Sequence, residues 1–456
     1  MKIALVHDFL VQMGGAEKVV EEWHDMFPDA PIYTSVYDAN AMPDHFRKWD
    51  IRTTFLQKMV KHRTHRMALF LYPMAFESFD FSEYDFVLSS SSAFAKGIIT
   101  QPKTVHVCYK HTPMRYAWMT GSYMKNERSN KLTRGVLVPG MHYLRMWDLL
   151  SAARVDRFIA NSSAAGRRIR KFYGRDCEVI FPPVDVSRFS IADKVEDYCV
   201  VVSRLAPYKR LDLAVDAFSR LNKPLKIIGE GRDYASLKAR AGNCVEFLGR
   251  LDDKTTAQVM AQARAYIMPG EEDFGLSPVE ANVCGRPVIA YGAGGALDTQ
   301  IDGKTGILFP HQTVDSLCEA IECMETIDWD PQFIREHAMQ FSTEVFRQRF
   351  FDVVNEYSHD RLNGFPRATN NPALKGYSIL SEKHRPLEKR ERQSNAAKPQ
   401  LNGVNGDSSH RELTNGFGNG NAVNTIPANG TPVSETLTEG APLRETAQRE
   451  TTHHAA

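Results

Sequence analysis

The feature that most constrains the fold is an alternation in the second half of the chain. Six short apolar runs lie at 198–202, 225–228, 245–248, 265–268, 287–290 and 306–309. Segments of helical periodicity at 211–221, 234–241, 253–263 and 278–284 separate most of them. Apolar runs of this length fit strands buried on both faces. Parallel strands need a long crossover, usually a helix, so the pattern implies βαβ units and a parallel sheet. The first half repeats it more loosely. Runs at 3–6, 32–36, 86–88, 105–109, 157–160 and 179–181 read as strands, and helices are expected to start at Ala16 and at Asn161-Ser162-Ser163. Val19, Trp23 and Met26 recur on one face of the first of these helices. Pro182-Pro183-Val184-Asp185 reads as a linker between the halves, and 314–324 and 333–357 as closing helices. The expected class is α/β, with domains at 1–185 and 186–345 and a closing helix at 346–360. Residues 361–456 are expected to be a disordered tail, because Asn, Gly, Thr, Ser and Pro dominate there and no hydrophobic period survives.

Composition narrows the function classes. The 456 residues allow two or three domains, and 43% hydrophobic content supports a sizeable core. A net charge of +1 gives no whole-chain case for nucleic acid. The seven cysteines are an odd number without a CxxC, which points to reduced thiols and a cytoplasmic location. The opening Lys2-Ile3-Ala4-Leu5-Val6 reads as a strand rather than a signal peptide, and no apolar run is long enough to span a membrane. Between 55 and 79, Lys58, Lys61, Arg63 and Arg66 interleave with Met59, Val60, Met67, Leu69, Phe70 and Leu71. A helix carrying both sets either covers ordinary core with a solvated face or lies on the anionic inner membrane surface.

The densest chemistry is the stretch 269–282, which follows the run at 265–268. Ser277 as N-cap, Pro278 at the first helical position and Glu280 beyond them signal a helix start. Glu272 then sits in the loop and Glu280 on the opening turn, where one ligand can touch both. The backbone N–H groups of Phe274 and Gly275 are free to face an anion. Taken singly, Glu280 completes a capping box and Glu272 is a solvated loop acid. Yet the C-terminal edge of an open α/β sheet is where ligands bind, and other signals collect on it. Arg204 and Lys209 follow the strand at 198–202, and two cations suit a diphosphate. Gly229-Glu230-Gly231 ends the next strand, and Gly292-Ala293-Gly294-Gly295 with Asp298 follows the run at 287–290. In the first half, His7-Asp8 and Gly14-Gly15 lie between the first strand and its helix. His111 stands just past the run at 105–109, and Arg115, Tyr116 and Trp118 follow it.

Together these residues resemble the GT-B glycosyltransferases, in particular the retaining group called family 4, over about residues 1–358. The resemblance rests on Arg204…Lys209, Glu272…Glu280, the Gly14-Gly15 pair, the Pro-Pro-x-Asp linker and the turn from Gly294 to Thr299. The opening His7-Asp8…Lys18 and the segment 109–113 look like its mannosyltransferase-like branch. The resemblance implies two Rossmann-like domains facing a central cleft. It also implies transfer of a hexosyl group, mannosyl favoured, from a nucleotide-diphosphate sugar to a polysaccharide, oligosaccharide or lipid-linked acceptor. GDP-mannose is the favoured donor, and no metal or other cofactor is expected. By position, Arg204 and Lys209 would hold the diphosphate, Glu280 the ribose hydroxyls, and Glu272 and His111 the sugar near its reacting carbon. Phe274 and Gly275 would offer backbone donors. Gly14, Gly15 and Gly229 would let backbone approach the donor. Asp298 stands where many relatives carry Glu. A GT-B nucleotide-sugar 2-epimerase and a non-catalytic nucleotide-sugar-binding protein are the alternatives.

Overall fold

The computed structural model describes residues 1–59, 65–119 and 131–359, all within one compact unit. The tail expected over 361–456 lies outside these residues, as do Val60, Lys61 and Arg63.

The first lobe is a seven-stranded sheet in the order β3-β2-β1-β4-β5-β6-β7. Its strands are β1 (Ile3–His7), β2 (Ile32–Thr34), β3 (Ile51–Thr53), β4 (Phe86–Ser91), β5 (Val105–Lys110), β6 (Arg157–Ala160) and β7 (Cys177–Val179), and all pair in parallel. Its helices are α1 (Gly15–Met26), α2 (Leu56–Met59), α3 (Tyr72–Glu77), α4 (Arg115–Trp118), α5 (Lys131–Ala152) and α6 (Ser163–Tyr173). The second lobe is a six-stranded sheet in the order β10-β9-β8-β11-β12-β13. It contains β8 (Cys199–Val202), β9 (Leu225–Ile228), β10 (Val245–Gly249), β11 (Ala265–Met268), β12 (Val288–Tyr291) and β13 (Gly306–Phe309), again all parallel. The helices there are α7 (Leu211–Leu221), α8 (Tyr234–Arg240), α9 (Asp253–Gln262), α10 (Leu276–Val283), α11 (Ala296–Thr299), α12 (Val314–Glu325) and α13 (Pro331–Ala338). A last helix, α14 (Thr343–His359), returns to the first lobe. There Phe350 packs edge-on against Trp23, with ring centres 5.1 Å apart, and beside Tyr109 at 5.6 Å.

Each sheet reverses its strand order once beside its first strand, at β1/β4 and at β8/β11. Ligands of open α/β sheets bind at such switch points, so the topology alone singles out the loops after β1, β4, β8 and β11.

Local chemistry explains the helices that were legible. Ser162 caps α6 by accepting from Ala165 N–H at 3.1 Å, and Gly174 ends it in the left-handed region at φ +63°. Thr313 caps α12 and Asp252 caps α9 in the same way.

Three expectations are corrected. Helix α10 starts at Leu276 with Gly275 at its cap and no side-chain cap, so Ser277 is not an N-cap and Glu280 completes no capping box. The stretch 55–79 is not one helix: α2, a 3-10 turn over His65–Leu71 and α3 share its described residues. Pro73 at the start of α3 and the kink at Ala68 break the run. The last strand before the linker is Cys177–Val179, not 179–181. Among the elements that had no sequence signal, two stand out. β3 is a short edge strand, and α5 carries Pro139-Gly140, which reads as a breaker. Packing overrides that reading: Leu144 is fully buried, and Gly140 makes room for the Phe70 ring. No helix among the described residues is long and apolar enough to cross a membrane. All seven cysteines are free thiols.

Candidate active site

On the second lobe the loop after β8 carries Arg204 and a 3-10 turn, Pro207–Lys209. The loop after β11 carries Glu272, Asp273 and Phe274 and ends at Gly275. Gly275 sits at φ +89°, a conformation L side chains rarely adopt, and this lets the loop turn sharply into α10. The Gly294-Gly295 turn supports the loop from behind. Gly295 N–H donates to the Glu272 carbonyl at 2.9 Å, and a side chain at Gly295 would run into the Phe274 backbone. The Phe274 ring is buried against Phe181, centroids 5.6 Å apart, so it anchors the loop while its backbone lines the cleft. Among the described residues, the Phe274 and Gly275 N–H groups have no hydrogen-bond partner. Lys209 forms an ion pair with Glu272. Tyr208 organises both cations: its hydroxyl accepts from Arg204 Nη2 at 3.1 Å, and Lys209 Nζ lies 5.4 Å from its ring centre.

On the first lobe the site is built from buried groups far apart in sequence. His111 Nε2 and Ser90 Oγ are 2.8 Å apart, Ser90 Oγ and His7 Nδ1 3.1 Å, and His7 Nε2 and Glu17 Oε1 3.4 Å. All four residues are buried, His111 least so at 8% exposed. A carboxylate only accepts, so His7 Nε2–H donates to Glu17; in the tautomer that leaves Nδ1 bare, Nδ1 accepts from Ser90 Oγ. The Ser90 oxygen then accepts from His111 Nε2–H. That order leaves His111 Nδ1, a bare acceptor, for the cleft. Burial pushes the His111 pKa down to about 3, with His7 and Lys110 adding to the effect, so the ring is neutral near pH 7. Behind it, Asp8 accepts from four backbone N–H groups, those of Ser92, Ala93, Phe94 and Ala95, at 2.5 to 2.8 Å. This fixes the loop after β4.

The two halves face one cleft of about 470 Å³. Gly14, Gly15, His111, Arg204, Lys209, Glu272, Phe274 and Gly275 all line it. Two predicted residues do not. Gly229 lies under the Ser203 carbonyl, where a side chain would collide with it. Glu280 lies beside the cleft and pairs across the lobes with Lys18 at 3.5 Å. Gly15 touches the other lobe too, since a Cβ there would come within 2.8 Å of Leu276 Cδ1.

Further cross-lobe contacts surround the cleft. Arg115 and Arg168 both pair with Asp273, and Arg168 reaches Glu271 at 2.9 Å. Burial works against the Arg115 charge, but Asp273 more than offsets it and raises the pKa. Asp298 accepts from Ser163 N–H at 2.8 Å, at the N-terminus of α6, where helix geometry favours an anion. Sequence reasoning assigned no role to Glu17, Ser90, Lys18, Arg168 or Asp273. Nothing in their local spacing pairs them, because each acts through the other lobe or a neighbouring strand.

The chain matches two family profiles. "Glycosyltransferase Family 4" matches residues 13–188 and "Glycosyl transferases group 1" matches residues 186–341. A D-inositol 3-phosphate glycosyltransferase of Kribbella flavida is 29% identical over 42% of this chain and 54% of its own length. A GDP-mannose-dependent monoacylated alpha-(1-6)-phosphatidylinositol monomannoside mannosyltransferase of Corynebacterium glutamicum is 35% identical over 33% of this chain and 45% of its own. The chain thus spans about half the length of the curated relatives it matches. Among solved structures, Anabaena Alr3699/HepE in complex with UDP superposes with a TM-score of 0.59 at 18% identity, covering 78% of this chain and all of that one. Sucrose-phosphate synthase from Thermosynechococcus elongatus gives 0.60 at 16% identity, covering 79% and 100%. The two parallel sheets, their facing switch points and these matches agree: the chain belongs to the family 4 glycosyltransferases and has the GT-B fold.

Proposed function

We propose that the protein is a retaining glycosyltransferase that moves a hexosyl group from a nucleotide-diphosphate sugar to a glycan or lipid-linked acceptor. GDP-mannose is the favoured donor, a choice supported by the likeness to the GDP-mannose-dependent mannosyltransferase of Corynebacterium glutamicum. The observation that carries the reading is that both switch points open on one cleft. Two cations stand on one side of it and a buried neutral histidine on the other.

In this reading Arg204 and Lys209 hold the diphosphate, and the Phe274 and Gly275 N–H groups add donors. Negative charge grows on the leaving diphosphate as the anomeric C–O bond breaks, so fixed cations stabilise the transition state more than the ground state. They supply the charge that a divalent metal would otherwise bring. Glu272 and a diphosphate oxygen compete for the Lys209 ammonium; a donor that takes Lys209 frees Glu272 for the sugar hydroxyls. His111 Nδ1 accepts from another sugar hydroxyl, and Gly14 and Gly15 let the loop approach the phosphates. The acceptor oxygen forms its bond to the anomeric carbon on the face the diphosphate leaves. Its proton passes to a departing phosphate oxygen, so configuration is retained without a covalent intermediate. Glu280, paired with Lys18, is assigned to the ribose hydroxyls, and Gly229 to the shape of the loop beside Ser203.

A panel of nucleotide sugars, with products weighed by mass spectrometry, tests this. Slow release of nucleoside diphosphate without acceptor, and a glycoside with one, are expected. Interconversion of the donor sugar would make the protein an epimerase. Binding without turnover would make it a binding protein.

A further inference from the structure

Among the described residues, two that are not glycine have a positive φ, Asn222 at +51° and Arg210 at +53°. Asn222 ends α7, where a left-handed residue is usual and Asn tolerates the conformation. Arg210 stands at the other end of the same helix, as the residue before its first turn. A helix start calls for an extended backbone and a Ser, Thr, Asp or Asn side chain, and a left-handed position calls for glycine. Arg210 meets neither rule and offers no side-chain cap. A residue that breaks local rules on both counts is held there by its surroundings, and such strain collects at functional sites.

The residue before it is Lys209. In the 3-10 turn Pro207–Lys209, Lys209 N–H donates to the Ala206 carbonyl at 2.9 Å and Arg210 N–H to the Pro207 carbonyl at 3.1 Å. The left-handed step at Arg210 then turns the chain into α7, whose Leu213 N–H donates to the Arg210 carbonyl at 3.1 Å. Lys209 and Leu211 line the cleft on either side of Arg210, which does not.

The Arg210 guanidinium instead ties two loops together behind the cleft. Its Nε and Nη2 each donate to Asp212 at 3.1 Å, and Asp212 sits in the first turn of α7, where helix geometry favours an anion. Its Nη1 donates to Gln312 Oε1 at 3.2 Å. Gln312 follows β13, and its Nε2 donates to the Pro269 carbonyl at 3.0 Å. Pro269 is the first residue after β11 and opens the loop that carries Glu272. The next residue, Gly270, lies so close to Lys209 that a Cβ there would come within 2.7 Å of the Lys209 carbonyl oxygen. The Lys209 and Glu272 loops are thus joined twice, by backbone packing at Gly270 and by the link from Arg210 through Gln312 to Pro269. Glycine at 210 would relieve the strained backbone, and the link is what glycine would lose.

We propose that Arg210 is a positioning residue: its left-handed turn aims Lys209 into the cleft, and its guanidinium, acting through Gln312 on the Pro269 carbonyl, fixes where Lys209 stands relative to Glu272. This rests on the diphosphate role assigned to Lys209. Charge growing on a leaving diphosphate is stabilised by a cation held in place beforehand, so the link acts on turnover more than on ground-state binding.

Arg210→Gly, Gln312→Glu and the double variant test this. The readouts are hydrolysis of the nucleotide sugar that the panel selects, affinity for its nucleoside diphosphate by calorimetry, and urea unfolding. Glycine keeps the left-handed turn and loses the guanidinium. Glutamate at 312 keeps an acceptor for Arg210 and loses the donor to Pro269. Each single variant lowers kcat by about tenfold or more and diphosphate affinity by a smaller factor. The double variant is no worse than the poorer single one, because both cut the same link. The urea midpoint of Arg210→Gly stays near wild type, since relief of the strained φ offsets loss of a part-exposed pair. Wild-type kcat in Arg210→Gly, a fall in kcat matched by a fall in the urea midpoint, or additive losses in the double variant would overturn the proposal. Lys209→Ala runs alongside. If it is impaired while Arg210→Gly is not, positioning alone fails; if it is fully active, the diphosphate role fails and takes positioning with it. A wild type that binds GDP and turns over no donor removes the transferase reading. The affinity arm then decides: weaker GDP binding in both single variants supports positioning, and unchanged binding overturns it.

Discussion

Strands β4 and β5 of the first lobe end in fully buried Ser89, Ser90, Ser91 and Lys110. Strands β11 and β12 of the second lobe bury Tyr266, Ile267, Val288 and Ile289 and carry no charge. The two sheets share a scaffold but install polar chemistry differently. The first wires it into the core, where groups hold one another: Lys96 with Asp148, and His111 with Ser90, His7 and Glu17. The second keeps its buried polar network, Asn282 with Gln300 and Thr305, out of the cleft lining and puts Arg204, Lys209 and Glu272 on loops at the sheet edge. Buried networks are costly to leave half-satisfied, so they position groups; loop charges are cheap to rearrange, so they take and release a ligand.

The largest expected effect tests the wired core. Asp148→Ala leaves Lys96 without its carboxylate and removes an acceptor from Trp118 and from Tyr173, and unfolding by urea should show a loss of about 3–5 kcal/mol. Asp216→Ala, which breaks a part-exposed pair with Arg240 in the second lobe, should cost less than about 1 kcal/mol. Equal losses would end the contrast.

Lys209→Ala tests the loop charges. Turnover should fall by about 10²–10³-fold with the denaturation midpoint unchanged. A folded, fully active variant would remove the diphosphate role.

His7→Gln tests positioning across the network. It should lower kcat by up to about 10²-fold while the donor's KM stays near wild type, because His111 keeps its place but loses its fixed proton order. A change confined to stability would make the network structural.

The effect that is smallest near neutral pH is acid sensitivity. Burial pushes the pKa of both His106 and His111 down to about 3, while their unfolded values lie near 6.5. The unfolded chain therefore binds protons that the native state refuses. Stability is fully present above about pH 6.5 and declines as pH falls toward 3, by up to about 1.4 kcal/mol per pH unit for each ring. His106→Gln should make the decline shallower; an unchanged slope would contradict the burial argument.

The same contrast explains what was legible in the sequence. Arg204, Lys209, Glu272 and Gly275 lie in short loops whose spacing is set by one strand and one helix, so their grouping could be read locally. The four network residues come from β1, α1, β4 and the end of β5, and only strand order brings them together. Glu280 was placed on the right helix, but its partner Lys18 comes from the other lobe. Asp298 likewise acts on the first lobe, at Ser163 N–H. The helix start at Leu276 was missed because Ser277-Pro278 mimics a cap, whereas the turn is made by Gly275 at φ +89°.

The most direct test of the central claim follows the anomeric configuration of the sugar released from each nucleotide sugar, by proton NMR before mutarotation. The account predicts one donor turned over slowly, with nucleoside diphosphate and a sugar of retained configuration as products, and loss of both in Lys209→Ala. An inverted sugar, an epimerised donor, or wild-type turnover in Lys209→Ala would contradict it.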